Sequence, residues 1–132
     1  YFTREDFYNS DKIVDLLTLR KTDLIVLAGF LWLVPQNLLA ASPNKIVNIH
    51  PALLPAYGGK GMYGHHVHQA VIAARESKSG ITIHYVNEQY DRGDIIFQAE
   101  CSLTDQDTVE TLEEKIHLLE KEHYPKVIDS IL

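Results

Sequence analysis

The chain has 132 residues, 45% of them apolar and 23% charged, with a formal net charge of −6. That length suits one domain with a sizeable core, and an acidic balance without any basic stripe argues against nucleic acid as the main partner. No apolar run approaches the roughly 20 residues of a membrane span, charges stand where a signal peptide would be apolar, and the single Cys101 cannot form an internal disulfide. A cytoplasmic location is the expectation from these features.

The first stretch, from about Arg4 to Leu19, places Phe7, Ile13, Val14, Leu16 and Leu17 on one helical face. Thr3 followed by Asp6 suits an N-cap. Leu24 to Ala28 is a continuous apolar run ending at Gly29, the pattern of a buried parallel strand. Pro35 opens a short helix through about Ala41. Lys45 to Ile49 reads as a second strand, stopped by His50 and Pro51. Two strands bracketing a helix make a βαβ unit. Leu53 to Gly64 is irregular and glycine-rich, and a helix is expected from about Tyr63 to Arg75. Ile81–Val86 and Ile95–Ala99 alternate as strands, and the tight polar loop from Asn87 to Gly93 makes them antiparallel. A helix from about Thr108 to Leu132 closes the chain, with a kink or restart expected at Pro125.

In open α/β sheets ligands bind beyond the carboxyl ends of the strands. Three stretches qualify: Gly29–Val34, Asn48–His50 with the loop after it, and Asn87–Asp94. Residues two apart in a strand point the same way, so Asn48 and His50 suit one reacting group, the amide as donor and the imidazole as proton carrier. The pair equally suits a turn cap and a satisfied structural histidine. Asp91 stands in Tyr90-Asp-Arg-Gly-Asp94, where aspartate often only braces a turn. Near His50 its carboxylate would raise the imidazole's proton affinity. Gly58-Gly-Lys-Gly61 lacks phosphate-loop spacing and reads as a flexible loop, with Lys60 available for an anion. His65, His66 and His68 diverge on a helix start without an acidic or cysteine partner at the right spacing, which disfavours metal. Cys101 reads as a buried strand residue, and Trp32 as core or as the wall of a ring pocket.

Asn48-Ile-His-Pro-Ala-Leu-Leu-Pro55, with Tyr90-Asp-Arg-Gly93 downstream, resembles the signature of the folate-dependent formyltransferases, most closely the branch serving purine synthesis. Leu27–Phe30, Ile81–Val86 and Glu122–Pro125 fit as well, so the likeness covers nearly the whole chain. The resemblance implies a three-layer α/β fold, its mixed sheet built from a parallel βαβ part and an antiparallel C-terminal strand pair. Residues 1–132 would form a single formyltransferase domain. It implies transfer of a formyl group from 10-formyltetrahydrofolate to the amine of glycinamide ribonucleotide, by Asn48, a protonated His50 and Asp91. Phe30, Leu31, Trp32 and Val34 would border the pterin, with Gln89, Tyr90, Arg92, Gly93 and Asp94 of the loop opposite. Arg4 would approach the nucleotide phosphate, His117 and Glu120 the ribose or glycinamide part, and His84 would support the catalytic group from behind. A cis bond is expected at Leu54–Pro55.

No metal, nucleic acid or membrane is implied, and a homodimer is left open. The family's glycine-rich phosphate turn would precede Tyr1, and the chain does not open on methionine. An N-terminally shortened domain with weak or no activity and a partly exposed sheet edge is therefore expected. The alternatives are a formyltetrahydrofolate deformylase, another formyltransferase of the superfamily, and a non-catalytic folate or nucleotide-binding module.

Overall fold

The computed structural model describes residues 2–30, 32–88, 91 and 93–132. The first helical stretch forms two helices rather than the expected one, α1 (Arg4–Tyr8) and α2 (Lys12–Leu19). Thr3 and Asp6 make a reciprocal capping box at 3.1 and 3.0 Å. The break falls at residues 9–11, Asn, Ser and Asp, whose short polar side chains compete with helix hydrogen bonding. Here the Ser10 hydroxyl donates to the Asp6 carbonyl at 2.6 Å.

β1 (Ile25–Ala28) follows, α3 (Gln36–Ala41) starts behind Pro35, and β2 (Ile46–His50) pairs parallel with β1. This is the expected βαβ unit. Next come α4 (His65–Ala73), β3 (Lys78–Tyr85), β4 (Ile95–Ser102) and α5 (Val109–Ile131). β3 runs antiparallel to both its neighbours, and the sheet order is β1-β2-β3-β4. β3 begins at Lys78 rather than Ile81, because Gly80 lets β4 close in: a Cβ there would stand 1.9 Å from the Ala99 carbonyl oxygen. α5 runs unbroken through Pro125, so the helix does not restart there. Pro125 and Lys121 are both exposed, so the carbonyl left without its helix partner lies on the solvent side of the helix.

The sheet is the middle of three layers. Val47, Ile49, Ile81 and Ile83 face one side and pack with Val67 and Val71 of α4 and Leu112 and Ile116 of α5. On the other side Ile46 packs with Phe7, Val34 and Leu38. Each such fully buried aliphatic side chain contributes roughly 1.5–3 kcal/mol. Further along that second face, alternation sets polar residues side by side, Asn48 opposite His84 and His50 opposite Thr82. Buried polar groups need partners. The Thr82 hydroxyl finds three, donating to the Ala52 carbonyl at 2.7 Å and accepting from Leu54 N–H and Gln98 Nε2 at 3.0 Å each. That knot fixes the chain leaving His50, where the Leu54–Pro55 bond is cis. At the other end of the sheet, β1 is the edge strand, with Val26 exposed. Among the described residues no helix is long and apolar enough to cross a membrane.

Candidate active site

A cavity of about 510 Å³ opens at the carboxyl ends of β1 and β2. Gly29, Phe30, Asn48, His50, Asp91, the loop 59–65 and Glu113, His117 and Glu120 of α5 line it. A smaller slot of about 50 Å³ lies between apolar side chains from Leu27 and Phe30 to Val34 and Val86 and the polar Asn48, His84, Asn87 and Asp91. Phe30, Asn48 and Asp91 line both spaces, so the two meet at the amide and the carboxylate.

At that junction the Asp91 carboxylate faces two imidazoles. Its Oδ1 is 3.5 Å from His50 Nδ1 and 3.6 Å from His84 Nε2. Its Oδ2 accepts the Gly59 N–H at 3.0 Å. The outer nitrogen of each ring sits against a backbone carbonyl, His50 Nε2 at 2.7 Å from Tyr57 O and His84 Nδ1 at 2.9 Å from Tyr85 O. A carbonyl only accepts, so those outer nitrogens carry the protons. The inner nitrogens therefore converge on one carboxylate oxygen. Asn48 Nδ2 lies 3.3 Å from His84 Nε2 and donates to it when that ring is neutral.

Burial pushes His50 below the ordinary imidazole value, outweighing the Asp91 carboxylate and the Tyr57 carbonyl, which push upward. The Asp91 carboxylate thus acts in the expected direction, favouring the protonated ring, while burial opposes it. Burial would likewise raise Asp91, but the His84 hydrogen bond, the His50 charge and the Gly59 amide together hold its carboxyl below the usual range. The site thus sets a carboxylate beside a buried imidazole whose outer nitrogen already has a carbonyl partner. It can take a proton at an inner nitrogen and return it, while the Asn48 amide offers a donor beside it.

Glu113, His117 and Glu120 form a charged stripe on α5, with His117 Nε2 3.4 Å from Glu113 and its Nδ1 3.7 Å from Glu120. His65 joins from α4 at 3.7 Å from Glu113. His68, also on the lining, is buried, and its Nδ1 has no hydrogen-bond partner among the described residues. Among those residues no group of three His, Cys, Asp or Glu could hold a metal ion.

The likeness that this geometry suggests is borne out by comparison. The formyl transferase family model matches residues 2–128. The chain belongs to the formyl transferase family. It is 44% identical over 126 residues to the chloroplastic phosphoribosylglycinamide formyltransferase of Arabidopsis thaliana, a match covering 96% of this chain and 43% of that protein. It is 43% identical over 120 residues to phosphoribosylglycinamide formyltransferase of Bacillus subtilis, covering 91% of this chain and 59% of that one. The crystal structure of the Bacillus halodurans phosphoribosylglycinamide formyltransferase superposes with a TM-score of 0.85 at 38% identity, over 97% of this chain and 66% of that chain. The chain thus spans about half the length of the curated relatives it matches.

Within this formyl transferase fold, Asn48, His50 and Asp91 come together, and His117 and Glu120 share their cavity. Phe30, Trp32 and Val34 line the slot. Trp32 also stands within 6.3 Å of the rings of Phe2, Phe7, Tyr8 and Phe30, so it is part of an aromatic cluster as well as a wall. Leu31, Gln89, Tyr90 and Arg92 lie outside the described residues. Gly93 and Asp94 line neither space; the Asp94 carbonyl instead accepts the Tyr85 N–H at 2.9 Å, starting the pairing of β4. Arg4 is not brought to the site: its guanidinium lies 5.5 Å from the Tyr8 ring centre, in a separate shallow depression. Cys101 is half-buried in β4. Glu113 and Tyr57 are contributors that the reading of the sequence missed. For Glu113 a signal exists, since residues 113, 117 and 120 recur at i, i+4 and i+7 on one helical face. Tyr57 acts through its carbonyl, which has no sequence signature.

Proposed function

We propose that the chain carries the formyl-transfer centre of an enzyme that moves a formyl group from 10-formyltetrahydrofolate to the amine of glycinamide ribonucleotide. The supporting observation is that the Asn48 amide and the Asp91 carboxylate lie where two cavities meet, with His50 beside them in the larger one. A reaction between two separate substrates needs two compartments that share their reacting corner. The slot, at about 50 Å³, is far below the ~300 Å³ at which ligand pockets begin. A pterin therefore needs more room than the described residues Phe30, Trp32, Leu33, Val34 and Asn87 leave there. The larger cavity, with Glu113, His117 and Glu120, suits a hydroxylated, amine-bearing acceptor. Residues 1–132 act as one domain in this reading, in a cytoplasmic setting.

Attack of the amine nitrogen on the formyl carbon turns the carbonyl into an oxyanion and the amine into an ammonium. Asn48 Nδ2 donates to the oxyanion. Asp91 accepts the ammonium proton and passes it to His50 Nδ1, 3.5 Å away. The resulting imidazolium returns it to the departing folate nitrogen as the carbon–nitrogen bond breaks, so protons and charge balance. A preorganised donor of the Asn48 kind is worth about 2–4 kcal/mol in the transition state.

Spectrophotometry of 10-formyltetrahydrofolate, with and without glycinamide ribonucleotide, tests the reading. Consumption only with the amine present is expected, with Asn48→Ala and Asp91→Ala each slowing turnover roughly 100-fold while folate affinity changes little. Consumption without amine would make the site a hydrolase, and binding without consumption would leave a non-catalytic module.

A further inference from the structure

Between β2 and α4, three consecutive loop residues touch both members of the His50–Asp91 pair. Tyr57 offers its carbonyl to His50 Nε2 at 2.7 Å, and Gly59 donates its N–H to Asp91 Oδ2 at 3.0 Å. Gly58 lies between them with no room for a side chain: a Cβ there would meet Leu54 Cδ2 at 2.5 Å and Asp91 Cβ at 3.2 Å. The clasp holds its shape against local preference, since Tyr57 has φ 57° and Asp91 φ 54°, a region that a Cβ disfavours. Two things hold Tyr57 there. Its ring packs against the main core, and its hydroxyl donates to Glu76 Oε1, beyond the end of α4, at 2.7 Å.

We propose that Tyr57, anchored by Glu76, is a positioning residue: its carbonyl keeps the resting His50 proton on Nε2 and so leaves Nδ1 as the nitrogen that exchanges with Asp91. An imidazole has one N–H and one lone pair, and the partner of one nitrogen decides the state of the other. The 2.7 Å contact to the Tyr57 carbonyl is of full hydrogen-bond length whereas Asp91 stands at 3.5 Å, so the carbonyl favours Nε2–H against the pull of the carboxylate, roughly five- to tenfold. Without the Tyr57 carbonyl, the proton could sit on Nδ1, pointing at Asp91, and the ring could no longer accept from it. The role of His50 in turnover rests on the function proposed above; the location of its proton does not.

The groups facing His50 are Asp91 from the loop after β3, His84 of β3 and His68 of α4, the last two repelling its charged form. None of them is altered by changing residue 57 or 76. Nitrogen-15 NMR of the imidazoles in the 132-residue chain reads tautomer and titration directly. The wild type should show His50 protonated on Nε2. Tyr57→Phe and Glu76→Ala should each shift the population toward Nδ1–H by roughly five- to tenfold and lower the titration midpoint, because the carbonyl that favours the charged ring is displaced. Glu76→Gln, which still accepts from the phenol, should restore the wild-type pattern. Gly58→Ala should lower the midpoint by moving Asp91 while leaving the tautomer unchanged. A wild-type Nδ1–H tautomer, or an unaltered His50 spectrum in both Tyr57→Phe and Glu76→Ala, overturns the proposal even if those variants melt earlier. The expected spectra combined with no formyl transfer would overturn the functional reading and leave the clasp standing.

Discussion

Burial acts on two histidines in the same direction. His50 is 3% exposed and His68 4%, and desolvation pushes both imidazoles below 6.5, against the pull of Asp91 on the first and Glu113 on the second. An unfolded histidine holds its proton up to about pH 6.5, so between that value and the depressed folded ones the unfolded chain binds more protons. Stability therefore rises with pH through this window and falls on acidification. Asp91 works lower down: its folded carboxyl sits below 3.8, so its contribution is present above the unfolded value and is lost as pH falls through the folded one. The melting temperature should accordingly drop between pH 7.5 and 5.5, as differential scanning calorimetry would record. His68→Leu separates the contributions. The His68 Nδ1 has no partner among the described residues, so an apolar side chain of similar size leaves nothing newly unsatisfied. At pH 7.5 the variant should be as stable as the wild type or up to about 1–2 kcal/mol more stable, with a shallower acid slope. An unchanged slope would mean that His68 titrates alike folded and unfolded.

At the scale of elements, β3 decides whether the site exists, because its second face carries both His84 and Thr82. Thr82 is fully buried and its hydroxyl ties down Ala52 and Leu54, the first residues past the site histidine. Thr82→Val preserves shape but orphans the Leu54 N–H and the Ala52 carbonyl, at about 1–3 kcal/mol each. A loss of about 2–4 kcal/mol in urea unfolding is expected; a loss under about 0.5 kcal/mol would mean that the loop finds other partners. The same strand marks how far the sequence could be read. Its alternation and that of β4 are plain, as is the two-residue spacing that turns Asn48 and His50 to one side. The start of β3 at Lys78 is not, because Ser79 and Gly80 look like a turn until β4 closes over them. The break between α1 and α2 and the unbroken α5 depend on which carbonyls find partners or water, which periodicity does not encode. Within the site, the motif led to Asn48, His50 and Asp91, but neither the burial that lowers the His50 proton affinity nor a clasp made of backbone atoms leaves a trace in residue type.

At the scale of the whole chain, a net charge of −6 stands against a sheet edge that none of the described residues covers. β1 pairs only with β2 among the described residues, and Val26 on it is 42% exposed. An apolar edge strand with free backbone groups is a template for pairing with another copy, whereas like net charge keeps copies apart. The two effects make opposite forecasts for one substitution. Val26→Lys takes the charge from −6 to −5, so if mutual repulsion governed association, the variant would associate more. If the edge governs, a lysine there should break up pairing and the variant should associate less, by several-fold in the concentration at which sedimentation velocity first detects dimers. We expect the second outcome at pH 7.5. Near pH 5.6, the sequence isoelectric point, repulsion is at its weakest, and the gap between wild type and variant should be at its widest. Equal association at both pH values would show that β1 is not the surface through which copies meet.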